Sequence, residues 1–326
     1  MPSPLVSRRA CAGLAAVAMA ATPAAAQPRW PTRPVRLIVP FAAGGPADIC
    51  ARVVGERLTR VWGQPVVTEN RGGAGGNIGA DLVAKSPPDG HTLLVATVSL
   101  VTAPFLVPNL TFDPMRDFAP VVEIFDYPMV IAIHPSSPVR SVAELIDYAR
   151  RHPGEVTYST SGVGNTGHLA PALLARLAGV EMTHVPFAGA SQAQTALIAG
   201  QVTMAFNNPL QTMPGIRAGQ YRAIGVTGET RWRDLPDVPT VAEQGFAGFR
   251  ASSWMGFLAP AATPEAVTAQ IERDTRAAVA EPEVTARLVA AGFEVRNRGR
   301  ADFRRQMEAD SALWGGFIRD AGIRME

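Results

Sequence analysis

The residues best suited to chemistry lie in six loops, each of which directly follows a predicted β-strand. These loops span residues 40–48, 71–78, 97–99, 161–168, 187–192 and 206–208. They are rich in Gly, Ser, Thr and Asn, and only Asp48, Arg71 and His168 bring a side chain that could carry charge. Ligands of open α/β sheets bind beyond the carboxyl ends of the strands, where helix N-termini attract anions without a cationic side chain. The loops therefore predict a site for a small anion, with a carboxylate as the first expectation and a phosphate as the alternative.

Signatures of common enzymes are absent from the sequence. The five histidines form no H-E-x-x-H motif and no helical pair at metal-ligand spacing. No G-x-S-x-G nucleophile elbow occurs. The glycine loop at 73–79 has one residue too many for a dinucleotide fingerprint, and no acidic residue follows at the required distance. The sequence thus predicts no metal, no cofactor and no catalytic residue.

A rival interpretation is a secreted hydrolase or lyase that uses Asp48 or His168 as a general base. Ser161 precedes His168 in one loop, which is compatible with a Ser–His pair. The simpler interpretation is that Ser161 donates a hydrogen bond and His168 caps the following helix. Acid–base catalysis usually needs paired roles, and neither loop supplies a second titratable partner. A binding protein is preferred, and a scaffold or adhesion protein without a pocket is the third alternative.

Strands and helices alternate in two successive groups, which predicts two similar α/β lobes with parallel sheets. The first group has strands at 35–39, 64–69 and 91–97 and helices at 47–62 and 78–85. The second group has strands at 156–160, 181–185 and 201–206 and helices at 168–178 and 192–199. Extended segments at 118–124, 129–134 and 250–258 connect the groups, and helices at 264–280, 283–291 and 301–321 end the chain.

The connecting segments predict how the chain is divided. We expect it to leave lobe 1 near residue 126 and to return near residue 254. Lobe 1 then comprises residues 27–126 and 255–326, and lobe 2 comprises residues 127–254. Two crossings between the lobes would form a hinge.

Residues 1–26 have the three parts of a secretory signal peptide. Arg8 and Arg9 precede an apolar run at 10–21, and the small residues 24–26 suit cleavage before Gln27. The run is shorter than the ~20 residues needed to span a bilayer. The paired arginines also hint at twin-arginine export, and an Ala-rich helix of the fold is the alternative. We expect a mature protein that is exported and soluble.

Composition narrows the classes of partner. The 326 residues include 47% hydrophobic and 18% charged residues, which suits a globular protein with a real core. The chain has 30 basic and 28 acidic residues, so removal of Arg8 and Arg9 leaves no net charge. A neutral chain without a basic tract argues against binding to nucleic acid or to an anionic membrane surface. Cys50 alone remains after the leader, which excludes a disulfide scaffold.

The loop motifs resemble those of the tripartite tricarboxylate transporter receptors, also called the Bug family. The matching segments are 34–48, 69–71, 75–79, 89–94, 113–120, 161–169, 184–187, 235–240 and Trp254. The resemblance covers residues 31–323. It implies a monomeric periplasmic binding protein of type II, a two-lobed Venus-flytrap fold with a hinged cleft. Such a protein would capture a small organic carboxylate and deliver it to membrane permease subunits or to a sensor.

The resemblance also implies which residues contact the ligand. They are Phe41, Ala43, Gly44, Asp48, Thr97, Ser99, Ser161, Gly162, Asn165, His168, Phe187, Ala188, Gly189 and Asn207. Three of them depart from the family pattern: Asn207 replaces a common Asp, Phe187 a common Tyr and Ala188 a common Lys. These changes disfavour an ammonium-bearing ligand and make the predicted cleft less polar. Our hypothesis is an aromatic or otherwise less polar monocarboxylate.

Overall fold

The computed structural model of the protein describes residues 30–187 and 189–324. The predicted signal peptide and Ala188 lie outside the described residues. Within the described part of the chain, no helix is both long and apolar enough to cross a membrane.

Eleven strands and ten α-helices are formed by the described residues. The strands are β1 (Val35–Val39), β2 (Val66–Asn70), β3 (Thr92–Thr97), β4 (Phe118–Pro128), β5 (Val130–Ile133), β6 (Thr157–Thr160), β7 (Thr183–Pro186), β8 (Met204–Asn207), β9 (Arg222–Val226), β10 (Ser252–Pro260) and β11 (Glu294–Gly299). The helices are α1 (Pro46–Trp62), α2 (Asn77–Ala84), α3 (Val98–Leu106), α4 (Val142–Arg151), α5 (Thr166–Ala178), α6 (Ala190–Ile198), α7 (Pro209–Arg217), α8 (Glu265–Ala280), α9 (Pro282–Ala290) and α10 (Arg300–Ala321).

The strands form two separate sheets, one in each group of elements. The six-stranded sheet has the order β11-β4-β10-β3-β1-β2, and the five-stranded sheet has the order β7-β6-β8-β5-β9. Strands that belong to strand–helix units pair in parallel, as predicted: β1 with β2 and β3, and β6 with β7 and β8. The connecting strands, whose direction was not predicted, make both sheets mixed. β10 is antiparallel to β3 and β4, and β5 is antiparallel to β8 and β9.

The strands β4 and β10 run antiparallel to each other because the chain leaves the six-stranded sheet along β4 and comes back along β10. Only Met129 separates β4 from β5, so the chain changes sheets there. Ser252, at the start of β10, lies opposite Pro128, and Trp254 lies opposite Asp126. The two connections are therefore hydrogen-bonded neighbours, which suits a hinge. The lobe boundaries predicted at 126 and 254 fall inside this paired segment.

The loop after β1 shows how local sequence sets up a helix start. Pro46 occupies the first turn of α1, where a missing N–H costs nothing, and Asp48 lies in the same turn, where the helix dipole favours negative charge. Gly44 has φ +82°, a conformation that glycine adopts without strain. The loop can therefore turn sharply away from β1 and start the helix within a few residues.

Candidate functional site

A cavity of about 560 Å³ is lined by residues of both sheets' loops. Phe41, Ala43, Gly44, Thr97 and Ser99 come from loops of the six-stranded sheet. Ser161, Asn165, Gly189 and Asn207 come from loops of the five-stranded sheet. None of the described residues that line the cavity has a charged side chain. The cavity therefore has the size of a small-molecule site and an electrically neutral wall.

Five helices begin at this cavity: α1, α3, α5, α6 and α7 contribute residues of their first turns or N-caps to the lining. The side chains of Asn165 and Asn208 cap α5 and α7 by accepting hydrogen bonds from the N–H groups of His168 and Gln211. The helices α1, α3 and α6 receive no hydrogen bond from a capping side chain. The first-turn N–H groups of these three helices, with the positive ends of their dipoles, can therefore be offered to an anion.

The side chain of Asp48 stabilises the loop between β1 and α1. Its Oδ2 accepts hydrogen bonds from the Gly44 N–H at 3.0 Å and from Arg52 Nε at 2.9 Å. Burial raises the pKa of this carboxyl, but the hydrogen bonds from Arg52 and Gly44 outweigh it and hold the pKa below its usual value. Asp48 is ionised at neutral pH and holds Gly44, a lining residue, in place.

The loop between β6 and α5 rests on two stacked histidines. His168 Nδ1 accepts a hydrogen bond from the Gly164 N–H at 3.2 Å, and His184 Nε2 lies 2.6 Å from Thr160 Oγ1. Burial lowers the pKa of His168 to about 3, with a smaller contribution from the neighbouring His184. Burial also lowers the pKa of His184 to about 4. Both rings are therefore neutral at pH 7 and act as supports of the loop.

Residues 50–323 match the family described as tripartite tricarboxylate transporter family receptor. A protein from the tcbD-tcbE intergenic region of Pseudomonas sp. (strain P51) is 39% identical over 289 residues, which cover 88% of this chain and 86% of that protein. The chain belongs to the tripartite tricarboxylate transporter receptor family. BugT of Bordetella pertussis is 32% identical to this receptor over 319 residues, which cover 97% of this chain and 96% of BugT.

Solved structures agree with this assignment. An R. palustris protein solved with adipate is 37% identical to this receptor, with a TM-score of 0.84 and coverage of 91% of this chain and 100% of that one. MatC from Rhodopseudomonas palustris, solved with bound malate, is 32% identical, with a TM-score of 0.81 and coverage of 88% and 99%. The periplasmic binding protein BugD is also 32% identical, with a TM-score of 0.82 and coverage of 91% and 100%. The predicted family and the two-lobed binding-protein fold are confirmed.

Nine of the fourteen predicted ligand-binding residues line the receptor's cavity: Phe41, Ala43, Gly44, Thr97, Ser99, Ser161, Asn165, Gly189 and Asn207. Four others, Asp48, Gly162, His168 and Phe187, are not among the lining residues. Asp48 and His168 are buried, and each holds a loop from behind. The helix cap predicted for His168 is instead supplied by Asn165. Direct ligand contact by these four residues, and by Ala188, stays a prediction.

Gly162 and Phe187 are not among the residues that line the receptor's cavity, and each has other contacts. Gly162 has φ +120°, and its carbonyl accepts hydrogen bonds from Thr160 Oγ1 at 2.8 Å and Asn165 Nδ2 at 3.1 Å, so its role is to turn the loop. Phe187 packs against a hydrophobic cluster of the five-stranded lobe that includes Leu197 and Tyr221. The absence of a Tyr hydroxyl at position 187 therefore says less about the ligand than Asn207 does.

The sequence-based prediction missed lining residues on the connecting strands. Tyr127, Met129, Ser253 and Met255 all line the cavity where the two strands pass between the sheets. Successive side chains of a strand point to opposite faces, and Trp254 between two of them instead donates to Asp310 on α10. The alternation of side chains along a strand could have identified these residues, if the connecting strands had been assigned to the cleft.

Proposed function

We propose that this receptor captures a small organic carboxylate in the cavity between its two lobes. The observation that carries the proposal is the convergence of three helix starts without side-chain caps on a cavity wall that has no charged side chain. Backbone N–H groups there would hold a carboxylate by the same means as other helix N-terminal anion sites. Two related receptors, solved with adipate and with malate, support this class of ligand.

Capture would work by closure of the lobes about the paired strands β4 and β10. A ligand shifts the open form toward the closed form only by its extra affinity for the closed form. Micromolar binding corresponds to about −8 kcal/mol, which suffices for closure if most contacts form only when the cleft is shut. The closed form would then deliver its ligand to permease subunits of a tripartite transporter or to a sensor.

Family membership implies a periplasmic protein. We expect export by the leader at 1–26, cleavage between Ala26 and Gln27, and action as a monomer. A hydrolase or lyase is not favoured, because Asp48 and His168 are both committed to holding loops and neither lines the cavity.

Thermal unfolding of mature protein, first unfolded and refolded to remove bound ligand, tests the proposal. We would add sodium adipate, malate, citrate or benzoate at equal ionic strength, with adipamide and benzamide as uncharged matched controls. A ligand at 100 times its Kd adds about 2.7 kcal/mol to the free energy of unfolding, which raises Tm by several degrees. The proposal predicts a rise with an acid and none with its amide, and no rise with any of the acids would contradict it.

The same set of acids also tests which kind of carboxylate the receptor prefers. The loss of a negative charge at Asn207 and the apolar residues Phe41, Met129, Phe206 and Met255 in the lining support a less polar monocarboxylate. On this hypothesis benzoate binds more tightly than citrate. A citrate affinity well above that of benzoate would overturn it and leave the carboxylate proposal intact.

A further inference from the structure

One buried hydroxyl group connects the two walls of the cavity. Thr102 lies on α3, in the six-stranded lobe, and its side chain is fully buried. Its Oγ1 donates to the carbonyl oxygen of Gly164, in the loop before α5 of the five-stranded lobe, at 2.9 Å. The same hydroxyl lies 3.1 Å from the carbonyl oxygen of Ser99, one turn earlier on its own helix. Thr102 does not line the cavity, but Ser99 does.

The backbone of the opposite lobe is shaped for this contact. Gly164 is buried and has φ +85°, and a Cβ atom at this position would overlap the side chain of Leu106 on α3. Only glycine lets the loop come this close to α3 in this conformation. The approach brings the Gly164 carbonyl within hydrogen-bond distance of Thr102.

The contact is linked directly to lining residues of the five-stranded lobe. The Gly164 N–H donates to His168 Nδ1, and the next residue, Asn165, caps α5 and lines the cavity. If the lobes separate at this contact, the Gly164 carbonyl would lose Thr102 and meet water, whereas the Thr102 hydroxyl would keep Ser99 as an acceptor. The hydrogen bond to Gly164 therefore joins residues of the two lobes where they are in contact.

We propose that Thr102 is a positioning residue that latches the loop at Gly164 and so slows release of the captured acid. This inference rests on the proposed function. Removing the hydroxyl leaves a buried carbonyl without a partner in the closed form only. A lost hydrogen bond of this kind corresponds to about a tenfold change in an equilibrium constant. Because docking starts from the open form, the change should appear in the dissociation rate and not in the association rate.

The test compares Thr102→Val with Thr102→Ser, which keeps the hydroxyl. The matched control is Thr275→Val, since Thr275 on α8 is also fully buried and its hydroxyl has no hydrogen-bond partner among the described residues. Stopped-flow measurements with adipate, malate, citrate and benzoate give both rate constants, and circular dichroism checks the fold. We expect Thr102→Val to dissociate about tenfold faster with an association rate within twofold of the wild type. Thr102→Ser and Thr275→Val should behave like the wild type.

Three results would overturn the inference. One is a wild-type dissociation rate in Thr102→Val. The second is an equal acceleration in Thr275→Val, which would indicate a general loss of packing. The third is a slower association with unchanged dissociation, which would place the effect in the open form. If the wild-type protein binds none of the acids, the proposed function fails and the inference fails with it, which is distinguishable from failure of the latch alone.

Discussion

The imidazole ring of His168 is stacked on that of His184, with 4.0 Å between the ring centroids. His168 contacts the loop between β6 and α5 through the Gly164 N–H, and His184 contacts the end of β6 through the Thr160 hydroxyl. Because burial lowers both pKa values, to about 3 and about 4, the rings stay neutral in the folded protein well below pH 6. The pair thus supports the loop between β6 and α5 and makes the stability of the folded protein depend on pH.

The first prediction concerns this pH dependence. An unfolded chain protonates histidine near pH 6.5, whereas the folded protein binds these two protons only near pH 3–4. The contribution of the pair to stability is complete above about pH 6.5 and is lost as pH falls toward 4. The loss is up to about 1.4 kcal/mol per pH unit for each histidine. Urea unfolding of ligand-free protein at pH 7, 6, 5 and 4 measures it.

The variant His168→Asn isolates the effect, since Asn keeps a hydrogen-bond acceptor but does not titrate. Its free energy of unfolding should fall less steeply between pH 6.5 and 4 than that of the wild type. Equal slopes for the two proteins would show that His168 is already protonated in the folded state, against the structure.

The second prediction concerns Asp48. Asp48→Ala removes the buried acceptor that holds the Gly44 N–H and Arg52, both of which are exposed, so each lost hydrogen bond should lower the free energy of unfolding by about 0.5–1.5 kcal/mol. Acid affinity should fall about tenfold because Gly44 lines the cavity. Asp48→Asn keeps an acceptor oxygen and should lose less. Titration calorimetry and urea unfolding measure the two effects.

Glu56→Ala is the control for Asp48. Glu56 is on the same helix and forms an ion pair with Arg60 four residues later, but it is exposed to solvent. Its removal should leave acid affinity unchanged. Wild-type affinity in Asp48→Ala would mean that the first loop does not depend on this carboxylate.

Much of the scaffold was predictable from local sequence, for identifiable reasons. The β-branched run at Val35–Val39 is flanked by prolines, and its strand was predicted with the observed bounds. The glycine loop and Pro46 gave the start of α1 to within one residue. Such features depend on backbone preferences of a few neighbouring residues, which a sequence displays directly.

Features that depend on tertiary packing were not predictable. The helix α3 was not predicted: its start was assigned to a loop at 97–99 and the rest was left unassigned, because its mostly apolar residues show no clear 3.6-residue period and include Pro104. The sequence therefore did not indicate a functional role for Thr102, which lies on this helix. Phe187 was placed at the ligand from the family pattern; in the structure it packs against the cluster around Leu197, and its contact with a ligand stays a prediction.

The third prediction concerns Gly162. The Cβ atom of Gly162→Ala would meet no atom within 4 Å. The conformational strain of this variant therefore comes from φ +120°, which an L-residue rarely adopts. Acid affinity should fall at least tenfold, because the Gly162 carbonyl accepts hydrogen bonds from Thr160 and Asn165, both of which line the cavity. Titration calorimetry with the acid that stabilises the wild type most gives the affinity.

Gly179→Ala serves as the control for Gly162. Gly179 also has positive φ and open space around it, but it caps the C-terminal end of α5, the end opposite the cavity. We expect Gly179→Ala to lower the free energy of unfolding by about 1–2 kcal/mol and to leave the acid affinity at the wild-type value. A similar loss of affinity in both variants would mean that strain anywhere around α5 disturbs the site, and Gly162 would have no special role.

The fourth prediction concerns the charge of the cavity wall. Asn207→Asp places a negative charge among lining residues that are otherwise uncharged. At about 5 Å and an effective dielectric constant near 20, repulsion of a carboxylate is about 3 kcal/mol, so acid affinity should fall by up to about a hundredfold at neutral pH. The isosteric change adds no bulk, and Asn207→Ser controls for loss of the amide. Unchanged acid affinity in Asn207→Asp would place the acid away from β8.

A crystal structure of the ligand-stripped protein, grown with the acid that raises Tm most, tests the central claim most directly. The account predicts a carboxylate group inside the cavity, with its oxygens within about 3.2 Å of first-turn N–H groups of α1, α3 or α6 and with no cationic side chain in contact. A carboxylate paired with an Arg or Lys side chain, or bound outside the cavity, would contradict it.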